Sequence, residues 1–216
     1  MNEIENKIGD VIFVSYYTAN GQYPLLANKL KASLEKFHLN FELVKLRPIS
    51  NWLDGVSMKA DFLLNMLLKH RKSVVWLDID TEIWQFPHLL FGNHDFAIYN
   101  WIADASHHLS GKIPFDPGAK RLICSGGVQK YGYTIPSIEL LYRWNQLLRK
   151  GRGEDDPVLD KAFNQYQPAL NCLWLPKIYN RMDKHTEHWS LIDKSTVVIN
   201  HDYTAGRHGA NRALGT

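Results

Sequence analysis

Short apolar runs and one-sided helical stripes alternate along the first 80 residues. Val11-Ile12-Phe13-Val14 is brief, β-branched and uninterrupted, the pattern of a strand buried on both faces. A polar loop, Thr18 to Gln22, follows. Leu25, Leu26, Leu30, Leu34 and Phe37 then recur at helical spacing with lysines between them, which predicts an amphipathic helix. Phe41 to Leu46 reads as a second strand and Ser73 to Leu77 as a third; between them Phe62, Leu63, Met66 and Leu67 mark a second helix. Strand, helix, strand, helix, strand opens a parallel sheet covered by helices.

Past residue 80 the pattern loosens. Phe96 to Tyr99 and Leu122 to Cys124 predict strands, with a Gly/Pro-bearing loop from Ser106 to Lys120 between them. Ile135 to Arg149 predicts a helix, and Asp156 to Tyr166 another with Pro157 at a tolerated first-turn position. Leu173-Trp174-Leu175 and Val197-Val198-Ile199 are the last apolar runs. The expected fold is α/β: one domain over residues 1–216, with a Rossmann-like, mostly parallel central sheet flanked by helices and an irregular second half.

Composition narrows the class of protein without naming a task. At 216 residues, 45% hydrophobic and 22% charged, the chain is neither disordered nor fibrous. A domain of that length buries roughly 70% of its unfolded surface, so a real core is available. A net charge of +3 suits a small anion or an anionic membrane surface and does not call for nucleic acid. Cys124 and Cys172 make neither a disulfide framework nor a zinc cluster, and read as two reduced thiols. Met1 to Lys7 is acidic where a signal peptide is basic, and no run approaches the ~18 apolar residues of a spanning helix. The expected location is cytoplasmic, with room for peripheral contact at the inner face of the membrane.

Chemistry concentrates where a strand ends. Val74-Val75-Trp76-Leu77 runs directly into Asp78-Ile79-Asp80, and in open α/β sheets ligands bind beyond the carboxyl ends of strands. Two carboxylates there repel each other, and a divalent cation with a preference for oxygen, Mg2+ or Mn2+, relieves the repulsion. Two solvated aspartates, or Asp80 capping a short helix, is the other reading of the same residues.

Asp-x-Asp after an apolar strand resembles two families. In the haloacid-dehalogenase-like phosphatases, Asp78 would be the nucleophile and Asp80 the acid/base. In the GT-A glycosyltransferases the carboxylates hold the metal that bridges the diphosphate of a nucleotide sugar. About 70 residues of strand–helix–strand–helix precede the motif, as the second family expects. Gly153-Glu154-Asp155-Asp156 resembles an acidic phosphatase motif, but Leu147 to Arg152 before it is not an apolar strand.

Further segments resemble GT-A enzymes related to glycogenin and to bacterial lipopolysaccharide galactosyltransferases. Ile123-Cys124-Ser125-Gly126-Gly127-Val128 is similar to the segment whose small residues let backbone amides approach the donor sugar; an ordinary glycine turn reads the same way. Asp155-Asp156-Pro157-Val158-Leu159-Asp160 resembles "Asp-Gln-x-x-Leu-Asn" at a helix start, with Asp156 in place of Gln and Asp160 in place of Asn. Leu175-Pro176-Lys177-Ile178-Tyr179-Asn180 resembles "Leu-Pro-x-x-Tyr-Asn", and Thr196 to His201 the strand whose closing histidine is the third metal ligand. Beyond it Gly206 lies five residues on rather than three, and Arg207, His208 and Arg212 stand in place of a single Lys that touches the diphosphate.

The resemblance implies a glycosyltransferase of hexosyl type. It would take a nucleotide-diphosphate sugar, a UDP-sugar first of all, and a carbohydrate or glycolipid acceptor, in bacterial surface-polysaccharide or lipopolysaccharide synthesis. Asp78, Asp80 and His201 are the implied ligands of Mn2+ or Mg2+, and Asp155 and Asp156 the implied groups at the reacting centre. Ser15, Tyr16, Tyr17, Lys59, Asp78, Ser125, Gly126, Gly127, Arg207 and His208 are the implied donor contacts. Residues up to about 100 would hold the nucleotide sugar and residues from about 101 the acceptor. A nucleotide-sugar-binding module without turnover is the third reading.

Overall fold

The computed structural model describes residues 8–49, 51–105, 114–151, 153–166, 170–182 and 192–201. A six-stranded sheet is built from β1 (Val11–Thr18), β2 (Phe41–Leu46), β3 (Ser73–Leu77), β5 (Phe96–Asn100), β6 (Cys124–Tyr131) and β7 (Cys172–Trp174), in the order β2-β1-β3-β6-β5-β7. β6 runs antiparallel to both of its neighbours, and the other five strands are parallel to one another. A second sheet of three short strands orders β4 (Thr81–Ile83), β9 (Ile199–His201) and β8 (Arg181–Met182).

Alternation along the strands divides the core. Ile12, Val14, Val74, Trp76, Phe96 and Ile98 face one side, and Val11, Phe13, Val75, Leu77 and Ala97 the other. The first side packs against α3 (Lys59–His70), α4 (Ile135–Lys150) and α5 (Asp155–Tyr166), through Leu63, Leu67, Leu140, Trp144 and Phe163 among others. The second packs against α1 (Tyr23–Lys36) through Leu26, Leu30 and Leu34, the stripe that the periodicity predicts. A five-strand parallel framework covered on both faces is the expected α/β architecture.

Several expectations need correction. Leu122 and Ile123 precede a strand that begins at Cys124, and Ser125-Gly126-Gly127 lies inside β6 rather than in a turn. The pairing with β5 steps from Ile98↔Gln129 to Tyr99↔Ser125, so the two glycines and Val128 form a wide bulge. Glycine, the usual mark of a turn, marks a bulge here. α5 starts one residue earlier than predicted, and β9 begins at Ile199, after the turn Lys194–Thr196. α2 (Trp52–Ser57) escapes the hydrophobic pattern because it buries no residue, and β4 and β8 because they are two or three residues long. Of the predicted loop from Ser106 to Lys120, residues 106–113 lie outside the described residues.

Beyond the end of β3, strand β6 has no neighbour on that side, and α5 takes its place. Asp156, Asp160 and Asn164, one helical turn apart, accept hydrogen bonds from the backbone N–H groups of Gly126 (3.1 Å), Cys124 (2.9 Å) and Leu122 (2.8 Å). Burial followed by the opposing hydrogen bonds from Cys124 leaves the Asp160 carboxyl pushed up to about 6. The ladder fixes the start of α5, and with it Asp155 and Asp156, against the carboxyl end of the sheet.

Candidate functional site

A cleft opens at that end, lined by residues of β1, α2, α3, β3, β6, α5 and β9. Asp78 leaves β3 with its backbone N–H donating to the Gly127 carbonyl (2.8 Å), and Thr81 closes the turn with its N–H and hydroxyl on the Asp78 carbonyl (3.0 and 2.7 Å). That turn carries the chain into β4, whose Thr81 pairs with His201 of β9. The second sheet therefore brings a histidine from 121 residues downstream to the two aspartates. His201 Nε2 stands 3.2 Å from Asp80 Oδ1 and 3.5 Å from Asp78 Oδ2, and its Nδ1 3.2 Å from Asn180 Oδ1. One ligand atom from each of Asp78, Asp80 and His201 lies within 4.8 Å of the others. Two carboxylate oxygens and an imidazole nitrogen at that spacing are compatible with a divalent metal ion.

Both glycines of the β6 bulge leave room for these side chains. A methyl group at Gly127 would lie 2.5 Å from His201 Cε1 and 2.9 Å from Asn180 Oδ1; one at Gly126 would collide with the Asp156 carboxylate. Here the missing Cβ is a requirement of close approach.

Lys59 stands at the centre of the site. It opens α3, where a lysine is ordinarily solvated, yet it is 3% exposed. Its Nζ lies 3.1 Å from Asp78 Oδ1, pairs with Asp155, and sits 4.9 Å from the centre of the Trp76 ring. Burial alone would lower its pKa, but Asp155, Asp78 and Asp156 outweigh it and hold the ammonium charged well above the usual lysine value. Trp76 Nε1 donates to the same Asp78 oxygen (2.6 Å), leaving Oδ2 to face His201. Burial also lowers His201, and the opposing carboxylates of Asp80 and Asp78 carry it above its ordinary value. Asp156 is pushed up by burial and by the neighbouring Asp155 charge, so it resists ionisation near neutrality.

No protein-family model matches the chain, and no curated protein matches its sequence. The architecture does have a counterpart. The structure is similar to that of a glycosyltransferase involved in the glycosylation of the major capsid of PBCV-1, over 94% of this chain and 98% of that one, with a TM-score of 0.61 and 12% identity. The fold is of the GT-A-like glycosyltransferase type.

Within this GT-A-like fold, most of the residues singled out from sequence meet in one place. Tyr16, Tyr17, Lys59, Asp78, Asp80, Ser125, Gly126, Gly127, Asp155, Asp156 and His201 all line the cleft. Ser15 does not: it is fully buried in β1, one position short of the strand's cleft-facing end. Tyr16 donates its hydroxyl to the Gly55 carbonyl (2.7 Å) and packs its ring against Phe62 and Trp76, so it builds the wall. Tyr17, half-buried, is the more available aromatic surface. Arg207, His208 and Arg212 lie outside the described residues.

Three cleft residues were not found from sequence. Tyr23, at the start of α1, faces the aspartates closely enough that burial, then Asp80 and Asp78, raise its pKa. Asn20 Oδ1 is buried without a partner among the described residues. Trp52 lines the cleft from α2. Lys59, already named as a donor contact, carries a further signal in the sequence: it shares the i, i+4, i+7, i+8 stripe of Leu63, Met66 and Leu67, so a lysine stands in an apolar face.

Proposed function

We propose that the chain is a metal-dependent glycosyltransferase, moving a hexosyl group from a UDP-sugar or related nucleotide-diphosphate sugar to a hydroxyl of a carbohydrate or glycolipid acceptor. The observation that carries the reading is the convergence of Asp78, Asp80 and His201 at the carboxyl end of β3 in a GT-A-like fold. Those three residues would hold Mn2+ or Mg2+, which when bound stabilises negative charge on the leaving diphosphate. Asp80 is the firmer ligand, because one oxygen of Asp78 already accepts from Lys59 and Trp76.

The remaining roles follow from charge and position. Tyr17 and Trp52 offer aromatic faces to the base. Lys59, charged and buried, draws Asp78 and Asp155 together and presents a positive field to the donor. The close approach of backbone at Gly126 and Gly127 leaves space for the sugar beside Asp156. Asp156 resists losing its proton, which suits a group that orients a sugar hydroxyl by hydrogen bonding rather than a general base at neutral pH. Acceptor contacts then fall to the half of the chain beyond residue 100, and the setting we favour is surface-polysaccharide or lipopolysaccharide synthesis on the cytoplasmic side of a membrane. The phosphatase reading has less support: Leu147 to Lys150, where it requires an apolar strand, closes helix α4.

Asp80→Asn is expected to abolish Mn2+-dependent hydrolysis or transfer of the donor, by about 100-fold or more, while the thermal midpoint stays near that of the wild type. Full activity in this variant, or equal wild-type activity in EDTA, would sink the metal assignment.

A further inference from the structure

We propose that Asn180 is a positioning residue that accepts a hydrogen bond from His201 Nδ1–H, so that the Nε2 lone pair is the one offered to a cation held beside the aspartates. The inference rests on the metal-site reading above and gives a task to the Leu175-to-Asn180 segment, which the proposed function leaves unused.

The geometry is specific to this pair. Asn180 is fully buried and closes the turn Lys177–Tyr179, with its backbone N–H on the Lys177 carbonyl (3.0 Å). The chain then enters β8, whose parallel pairing places Arg181 beside Asn200 and Met182 beside His201. Arg181 Nη1 donates to Asn200 Oδ1 (2.8 Å), which locks the two strands in register. His201 is thereby held with Nδ1 3.2 Å from Asn180 Oδ1 and Nε2 toward Asp80 and Asp78. A methyl group at Gly127 would intrude on both partners, so the bulge in β6 is shaped around the pair and not around the imidazole alone.

An amide oxygen can only accept, so once a cation takes the place of a proton between Nε2 and the carboxylates, it favours the Nδ1–H form of the neutral imidazole. A carboxylate at this position would do the same, at the expense of a third negative charge beside Asp78 and Asp80. A neutral acceptor orients the ring without adding that repulsion. Groups that orient a metal-ligating histidine commonly change metal affinity by about 10–100-fold when removed.

The test uses the full chain with 15N-labelled histidine, loaded with diamagnetic Mg2+, together with calorimetric titration by Mn2+. The wild-type spectrum is expected to show His201 as the Nδ1–H tautomer. Asn180→Asp, which keeps an acceptor, should bind Mn2+ at least as tightly as the wild type. Asn180→Leu, which fills the space without one, should lose about 10–100-fold in affinity and its single tautomer, with a thermal midpoint measured alongside. An Nε2–H tautomer in the wild type, or wild-type Mn2+ affinity in Asn180→Leu, overturns the proposal. A wild type that binds neither Mn2+ nor Mg2+ defeats the metal reading instead, and if Asn180→Leu fails to fold, the tautomer of the Mg2+-loaded wild type decides the role of Asn180.

Discussion

Two of the described lysines are buried, at opposite ends of the sheet, and they are buried on different terms. Lys59 opens α3 at the cleft, between the carboxylates of Asp78 and Asp155, and its charge is held well above the ordinary lysine range. Lys130 lies in β6 one residue from the strand's far end, 1% exposed, with its Nζ donating to the Gly92 carbonyl. Burial lowers Lys130, Asp95 opposes it only in part, and its pKa falls to about 8. The same side chain at similar burial thus gains charge stability at one end and loses it at the other. A buried ammonium keeps its proton firmly only where anions have been brought to it. At the cleft they have been brought from two separate elements, the turn that follows β3 and the start of α5. That investment is what separates a site from a lysine that merely threads the core.

The sharpest way to break the comparison is to remove each amine. Lys59→Met leaves Asp78 and Asp155 facing each other without a cation, and breaking a buried pair in this way typically costs about 3–5 kcal/mol. A large fall in denaturant-unfolding stability is therefore expected, together with loss of transfer. Added Mn2+ should restore part of the stability, since binding to the native state alone stabilises it. A Lys59→Met protein as stable as the wild type without metal would show that the carboxylates do not depend on Lys59.

A smaller effect is expected at Asp156, which shares the cleft but holds no ion pair with Lys59. Its carboxylate caps the Gly126 N–H, and the rest of the ladder, Asp160 and Asn164, still ties α5 to β6 without it. Asp156→Ala should reduce kcat by about 10–100-fold while donor affinity changes by much less. An unchanged turnover number would move Asp156 from the reacting centre to the scaffold.

The legibility of the two ends from sequence follows the same division. Asp78, Asp80 and His201 could be found because each closes an apolar strand, and a strand end in an open α/β sheet is where ligands collect. The five parallel strands and four longer helices could be found because each carries an apolar run or an apolar period. What escaped was set by contacts distant in sequence. Lys59 was named as a donor contact, but its burial escaped because a helix-face lysine is ordinarily solvated, and only the tertiary arrangement of Asp78 and Asp155 makes that burial tolerable. β4 and β8 are two or three residues long, too short for any period, yet they are what carries His201 to the aspartates. The bulge at Gly126-Gly127 was hidden because glycine signals a turn more often than room for a histidine.

The smallest predicted effect belongs to Lys130, and its sign tests whether that lysine is structural. In the unfolded chain Lys130 titrates near its ordinary value of 10.5, and in the native state at about 8. Between those values the unfolded state binds more protons, so the Lys130 contribution to stability rises with pH across the window and is at its least favourable below pH 8. Lys130→Met removes the titration along with the hydrogen bond to Gly92. At pH 7 the variant should therefore unfold within about 1 kcal/mol of the wild type, because the lost hydrogen bond is offset by relief from a buried charge. As the pH rises towards 10 the wild type should gain on the variant by up to about 2 kcal/mol, since its amine becomes neutral while still donating to the carbonyl. Denaturant melts of the two proteins over this range measure the difference directly, with transfer activity expected to stay at the wild-type level. A gap that is constant with pH would mean that Lys130 keeps its charge in the native state, and that the far end of the sheet also supplies anions to hold it.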